Sequence, residues 1–234
     1  MRSALVRAAL ACASFTLLAP AYAVDPGEID TFSSGIEGWF AGGGPSGQIP
    51  SVPPSVVASG GPAGAGDSFL LLTANGSDGP GGRLVGMNAA QWAGDYTAAG
   101  IGAIAMDLRN LGDSDLSIRL YFEDPIPGPP MNEALTTQSV VLPAGSGWTH
   151  AVFTIAPGDL TVLQGSATTL LANTTVLRIF SGAAAEFPPA RLTGALGVDN
   201  IQAIAAVPEP STLALLAGGF GWLALRTRRR RGRR

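Results

Sequence analysis

Hydrophobic and polar residues alternate through much of the middle of this 234-residue chain. In 116–122, Leu116, Ile118, Leu120 and Phe122 fall on one side and Ser117, Arg119 and Tyr121 on the other. In 104–108, Ile104, Met106 and Leu108 alternate with Ala105 and Asp107. A period of two sends successive side chains to opposite faces of a strand, so both segments predict strands with one buried face. Segments 138–142, 149–155, 176–180 and 196–204 predict further strands, and the apolar run 68–73 suits a buried one. Glycine and proline clusters at 41–54, 59–66 and 125–130 read as loops, because proline removes a ladder donor and glycine favours turns. Only 160–172 reads as helical, in a short or partly 3₁₀ stretch. There is no internal repeat. Eight to ten short strands without βαβ alternation predict an all-β, antiparallel β-sandwich joined by flexible Gly/Pro loops.

Composition agrees with one loop-rich core. Hydrophobic residues make up 46% of the chain and charged residues 13%, too apolar for disorder. Thirty-two glycines and eighteen prolines argue against long helices. Charge changes the picture more. All fourteen basic residues are arginines, and seven of them fall in the last nine positions. Between residues 24 and 206 stand five arginines and sixteen acids, a net charge of −11. Such a body repels phosphate, which excludes nucleic acid as its partner.

Both ends read as addresses. Arg2 and Arg7 precede an apolar stretch, 8–19, too short to span a bilayer, and Ala21-Tyr22-Ala23 follows. Small residues at Ala21 and Ala23 suit signal peptidase, so 1–23 is a signal peptide in helical form and the mature chain starts at Val24. Cys12 leaves with it, and the mature protein has no cysteine to form disulfides. At the other end, Val207-Pro208-Glu209-Pro210-Ser211 breaks any strand before it. The uncharged 212–225 follows, roughly 21 Å long as a helix and short of the ~30 Å hydrocarbon core. The arginine run after it would stay on the cytoplasmic side. Proline-glutamate-proline, a short transmembrane helix and a basic end, in that order, resemble the PEP-CTERM sorting signal of diderm bacteria. The resemblance implies an inner-membrane-anchored intermediate, cleavage by an exosortase near Pro208, Glu209 and Pro210, and a destination at the cell surface or in an exopolysaccharide-rich matrix. The domains are then 1–23, a β-sandwich at 24–206, and the sorting signal at 207–234.

Several stretches of the body resemble laminin B (domain IV)-like and carbohydrate-binding jelly rolls. Phe32-Ser33-Ser34-Gly35-Ile36-Glu37-Gly38-Trp39 is similar to their opening strand, and Gly66-Asp67-Ser68-Phe69-Leu70 to the loop into an early core strand. Gln91-Trp92-Ala93-Gly94-Asp95-Tyr96 and Asp107-Leu108-Arg109-Asn110 are similar to middle motifs. Gly147-Trp148 with Val152-Phe153 fits a later strand, and Gly197-Val198-Asp199-Asn200-Ile201 the closing one. The resemblance covers 30–206 and implies a structural calcium bridging first strand, early loop and last strand, with Asp30, Asp67 and Asp199 as the matching acids.

Catalytic chemistry finds little support. His150 is the single histidine, placed by alternation on the solvent side of its strand, and there is no Gly-x-Ser-x-Gly elbow. One histidine and no mature cysteine do not make a zinc site. Glu123 and Asp124 are neighbours that point apart, which reads as a solvated strand end. Sugar binding needs exposed aromatic faces with polar groups beside them. Trp92 and Tyr96 sit in a polar, glycine-flanked segment and Tyr121 on a strand's polar side, which makes these three the expected stacking residues. Trp39 and Trp148, each after a glycine at a strand entry, are expected in the core. The expectation is an exported, non-catalytic surface or matrix protein that binds carbohydrate. Its rivals are a structural matrix protein without a small ligand and, third, a polysaccharide-acting hydrolase.

Overall fold

The computed structural model describes residues 24–41, 52–125 and 128–206. Among them thirteen strands follow in order: β1 (Ile29–Asp30), β2 (Trp39–Phe40), β3 (Ser55–Val57), β4 (Phe69–Asn75), β5 (Val85–Asn88), β6 (Ile101–Asn110) and β7 (Leu116–Asp124). Then come β8 (Asn132–Thr136), β9 (Val140–Leu142), β10 (Thr149–Thr154), β11 (Leu160–Gln164), the helix α1 (Ala167–Ala172), β12 (Val176–Ser181) and β13 (Thr193–Ala205). Two antiparallel sheets result. The β6 sheet runs β10-β6-β13-β4-β3, with β1 also on β13. The β7 sheet runs β11-β8-β7-β12-β5-β2, with β9 also on β7.

The two-residue period decides what lies between the sheets. Ile104, Met106 and Leu108 of β6 face Leu116, Ile118, Leu120 and Phe122 of β7 in one contiguous buried cluster. Truncating one such side chain to alanine costs about 2–5 kcal/mol, so this layer carries most of the fold's stability. The other side of β7 is also buried at Arg119, Tyr121 and Glu123. Alternation alone gives that side to solvent; the segment after β12 lies over it instead.

The stretch expected as one helix, 160–172, divides. Its first part is β11, paired with β8, where Thr161 and Val162 suit an extended backbone. Gly165, at a φ of 70°, turns the chain. Only then does α1 form, with Ser166 as its N-cap accepting the Thr169 N–H. Strands β5 and β8, with sequences VGMN and NEALT, lack an apolar alternation that would have announced them.

The two ends of the described body are close to one another in the β6 sheet. β1 pairs with β13 at Ile29↔Gln202 and Asp30↔Ile201, and the Ala206 N–H donates to Gly100 at 2.7 Å. Ala21, Ala23, Pro208, Glu209, Pro210 and the segment 212–225 lie outside the described residues. Among the described residues no helix is long and apolar enough to cross a membrane.

Candidate functional site

The expected stacking residues are not available to a sugar. Trp92 is 0% exposed and Tyr96 and Tyr121 are each 1% exposed. For Trp92 the cause is Asp30, 62 residues away in the chain. Its Oδ2 accepts the indole N–H of Trp92 at 2.7 Å and that of Trp39 at 2.6 Å, while Oδ1 accepts from Gln91 Nε2 at 3.0 Å. A buried carboxylate needs donors, and two tryptophans supply them. Tyr96 packs edge-on against Phe122, its hydroxyl donating to the Trp92 carbonyl at 2.8 Å. Trp39 is a core residue as expected. Trp148 is half-buried, edge-on to Phe69, and donates to the Gly60 carbonyl at 2.9 Å, pinning the 59–67 loop over the outer side of the β6 sheet.

Asp30, Asp67 and Asp199 are not brought together. Among the described residues no three His, Cys, Asp or Glu side chains are grouped to hold a metal. Asp30 is occupied by its indole donors, and Asp67 Oδ2 accepts the Ala63 N–H at 2.7 Å. Asp199 is buried beneath the outer side of the β6 sheet, in register with Asp107. Its Oδ1 accepts the Asn200 N–H at 2.8 Å, and Oδ2 has no partner. Burial, aided by the charges of Asp67, Asp107 and Glu37 and opposed by that N–H, pushes its carboxyl up to about 6. His150 is exposed, its Nδ1 2.9 Å from Asp107 Oδ1, while Asn200 donates to Asp107 Oδ2 at 2.8 Å.

The β7 sheet assembles a different constellation on its outer side. Strand register places Phe40 beside Met87, Met87 beside Arg178, Arg178 beside Tyr121 and Tyr121 beside Leu135. This is one row across β2, β5, β12, β7 and β8. The Arg178 guanidinium carbon sits 5.3 Å from the Tyr121 ring centre and 5.2 Å from that of Phe187. Its Nη2 donates to the buried Glu123, and its Nε has no partner. Glu123, expected at a solvated strand end, is thus half of a buried ion pair. The Tyr121 hydroxyl donates to Glu133 at 2.8 Å. Burial first, then that bond and the nearby carboxylates, hold the phenol above its ordinary range, so it stays a donor.

Phe187 covers Tyr121, stacking on it with ring centres 4.3 Å apart, and meets Phe180 edge-on at 5.6 Å. Its segment is pinned at both ends. Arg119 donates to the Gly182 and Ala183 carbonyls, both at 3.0 Å, and Arg83 to that of Pro189 at 2.7 Å. The rings left to solvent on this face are therefore half-buried Phe187 and Phe40, which is 38% exposed. Neither was expected. Phe187 sits in an Ala/Pro stretch without periodicity, and Phe40 borders the long Gly/Pro loop. A separate groove of about 190 Å³ runs along β10, lined in part by Thr137, Gln138, Ser139, Val152 and Asp159. It offers no cation and no exposed ring.

Residues 206–230 match the family model of the PEP-CTERM protein-sorting motif. The chain carries a PEP-CTERM sorting signal. Such a signal implies export and exosortase processing through a membrane-anchored intermediate. No curated protein matches the sequence. Among solved structures, the body is similar to a family 11 carbohydrate-binding module from Clostridium thermocellum in complex with a β-1,3-1,4-mixed-linked tetrasaccharide. Identity is 17% over 80% of this chain and 100% of the module, with a TM-score of 0.54. It is also similar to the family 11 module of a cellulosomal cellulase of Clostridium thermocellum, at 13% identity over 80% of this chain and 99% of that one, TM-score 0.53. At these identities the likeness shows the fold alone: a jelly-roll β-sandwich.

Proposed function

We propose that this chain is an exported, non-catalytic polysaccharide-binding module whose ligand lies across the outer side of the β7 sheet. Signal peptidase removes 1–23, exosortase cuts near Pro208-Glu209-Pro210, and the acidic domain joins the exopolysaccharide of the cell surface or matrix. The observation that carries this reading is Arg178, fixed by Glu123 beside the stacked rings of Tyr121 and Phe187. Pyranose rings stack their C–H faces on Phe40 and Phe187, while Arg178 donates to ring hydroxyls and Glu133 accepts from them. From β2 to β7 is three inter-strand steps, roughly 14 Å, which gives room for several sugars of an extended chain.

Affinity electrophoresis and calorimetry test it on mixed-linkage β-glucan, agarose and polysaccharide from the host's own matrix. Arg178→Ala is expected to weaken binding roughly tenfold to a hundredfold, the scale of a lost charged hydrogen bond. Because that change strands Glu123 in the core, Phe40→Ala is the companion variant. It removes an exposed ring, leaves the melting temperature in place, and is expected to weaken binding about fivefold, or about 1 kcal/mol of stacking. Absence of binding to every polysaccharide would leave the structural matrix protein as the better reading, and sugar release would restore the hydrolase.

A further inference from the structure

Strand β4 ends at Asn75, which pairs with Thr193 of β13, and the chain turns away through Gly76. Both residues are exposed. The Asn75 Oδ1 accepts the Ser77 N–H at 3.0 Å, a turn that folds the side-chain amide back over its own backbone. Gly76 adopts a φ of 70°, and a Cβ there would stand 2.9 Å from the Thr193 hydroxyl. Glycine meets both conditions without strain. Among the described residues the Gly76 N–H donates to no backbone carbonyl outside the strands.

The remaining asparagines differ in their engaged side-chain amides and in the residue that follows each, although Asn173 is also exposed and Asn88 and Asn110 make the same turn. Asn88, Asn110 and Asn132 are buried. Every one of the five has its side-chain NH₂ engaged: Asn88 with the Glu37 carbonyl, Asn110 with those of Ser114, Leu142 and Pro143, and Asn132 with Asp124. Asn173 donates to the Thr169 carbonyl and Asn200 to Asp107. The residues that follow them are Ala89, Leu111, Glu133, Thr174 and Ile201, each with a side chain that crowds the backbone nitrogen. Asn75 alone is followed by glycine.

We propose that Asn75–Gly76 is a self-modifying site at which the exported protein deamidates. The Gly76 nitrogen gives up its proton and attacks Asn75 Cγ. A Cγ–N bond forms, the bond from Cγ to Nδ2 breaks, and the amide nitrogen leaves as ammonia with the proton. Water then opens the resulting five-membered succinimide at either carbonyl, giving aspartate or isoaspartate. No oxidant, enzyme or cofactor enters. The product adds a negative charge three residues from Asp78, the partner of Arg191. The isoaspartate form also adds a methylene to the main chain beside the last rung between β4 and β13. Outside the cell, this conversion marks the age of each molecule in the matrix.

The test is peptide mapping of the purified full-length protein during incubation at pH 8.5 and pH 6, with a guanidinium-denatured sample alongside. The expected result is first-order accumulation of isoaspartate and aspartate at position 75, faster at pH 8.5 because the attacking nitrogen must lose its proton. Asn88, Asn110, Asn132, Asn173 and Asn200 stay intact in the folded sample. Gly76→Ala is expected to slow conversion about tenfold in the denatured sample, where its effect on folding is irrelevant and only crowding of the nitrogen remains. An Asn75 that stays intact in the folded protein while the denatured sample converts would overturn the proposal, as would earlier conversion of another asparagine.

Discussion

Replacing Asp30 with alanine is expected to lower the melting temperature by roughly 10 °C, while asparagine at the same position lowers it far less. Asp30 is the shared acceptor for the indole N–H groups of Trp39 and Trp92 and for Gln91. Alanine leaves two buried donors unpaired at about 1–3 kcal/mol each, with a small cavity besides, a sum of about 3–5 kcal/mol. Asparagine keeps one oxygen for the indoles, and the Gln91 amide turns to present its own oxygen to the new NH₂. Melting curves followed by tryptophan fluorescence report both variants. Equal losses for alanine and asparagine would mean that the carboxylate matters for its charge and not as an acceptor.

Asp199→Asn is expected to act in the opposite direction and only above acid pH. Its folded carboxyl titrates at about 6, above the unfolded value of 3.8. The folded state therefore binds this proton more tightly than the unfolded chain does. The favourable contribution is complete below the unfolded value and is lost as pH rises from about 4 through 6. At pH 7.5 the ionised form then costs on the order of 2–3 kcal/mol, because Oδ2 is buried without a partner among other carboxylates. Asparagine removes that cost, raising the melting temperature by roughly 5–10 °C at pH 7.5 and hardly at all at pH 4. Calcium is the accompanying arm. If millimolar calcium stabilises the wild type at pH 7.5 but not Asp199→Asn, an ion and not a proton relieves this carboxylate. If the variant is no more stable than the wild type at pH 7.5 without calcium, the buried charge is solvated and carries no such cost.

Strand positions were largely legible because their signal is local. The alternation in 116–122 and 104–108 fixed both the strands and the faces they bury. The sorting signal was legible for the same reason, as its three parts are contiguous. The site was not, because each of its contacts joins distant segments. Trp92 reads as exposed from its polar neighbours, yet Asp30 draws it inside across 62 residues. Glu123 reads as solvated until the β7–β12 register sets Arg178 against it. Tyr121 sits on the polar side of its strand as expected, and only the segment carrying Phe187, folding back over that side, removes it from solvent. Alternation tells inside from outside for a sheet alone; it does not know what else will be laid on the outer side.

The thirteen-residue β13 ends beside the point where the sorting tail begins, held by β6 on one flank and by β4 and then β1 on the other. Any tension applied between the tail and the body pulls β13 along its own axis. The rungs on both flanks are then sheared together, so many hydrogen bonds share the load. A strand pulled sideways from an edge would lose its rungs one at a time at much lower force. Force through the tail therefore loads a long, centrally placed strand and not a short edge one.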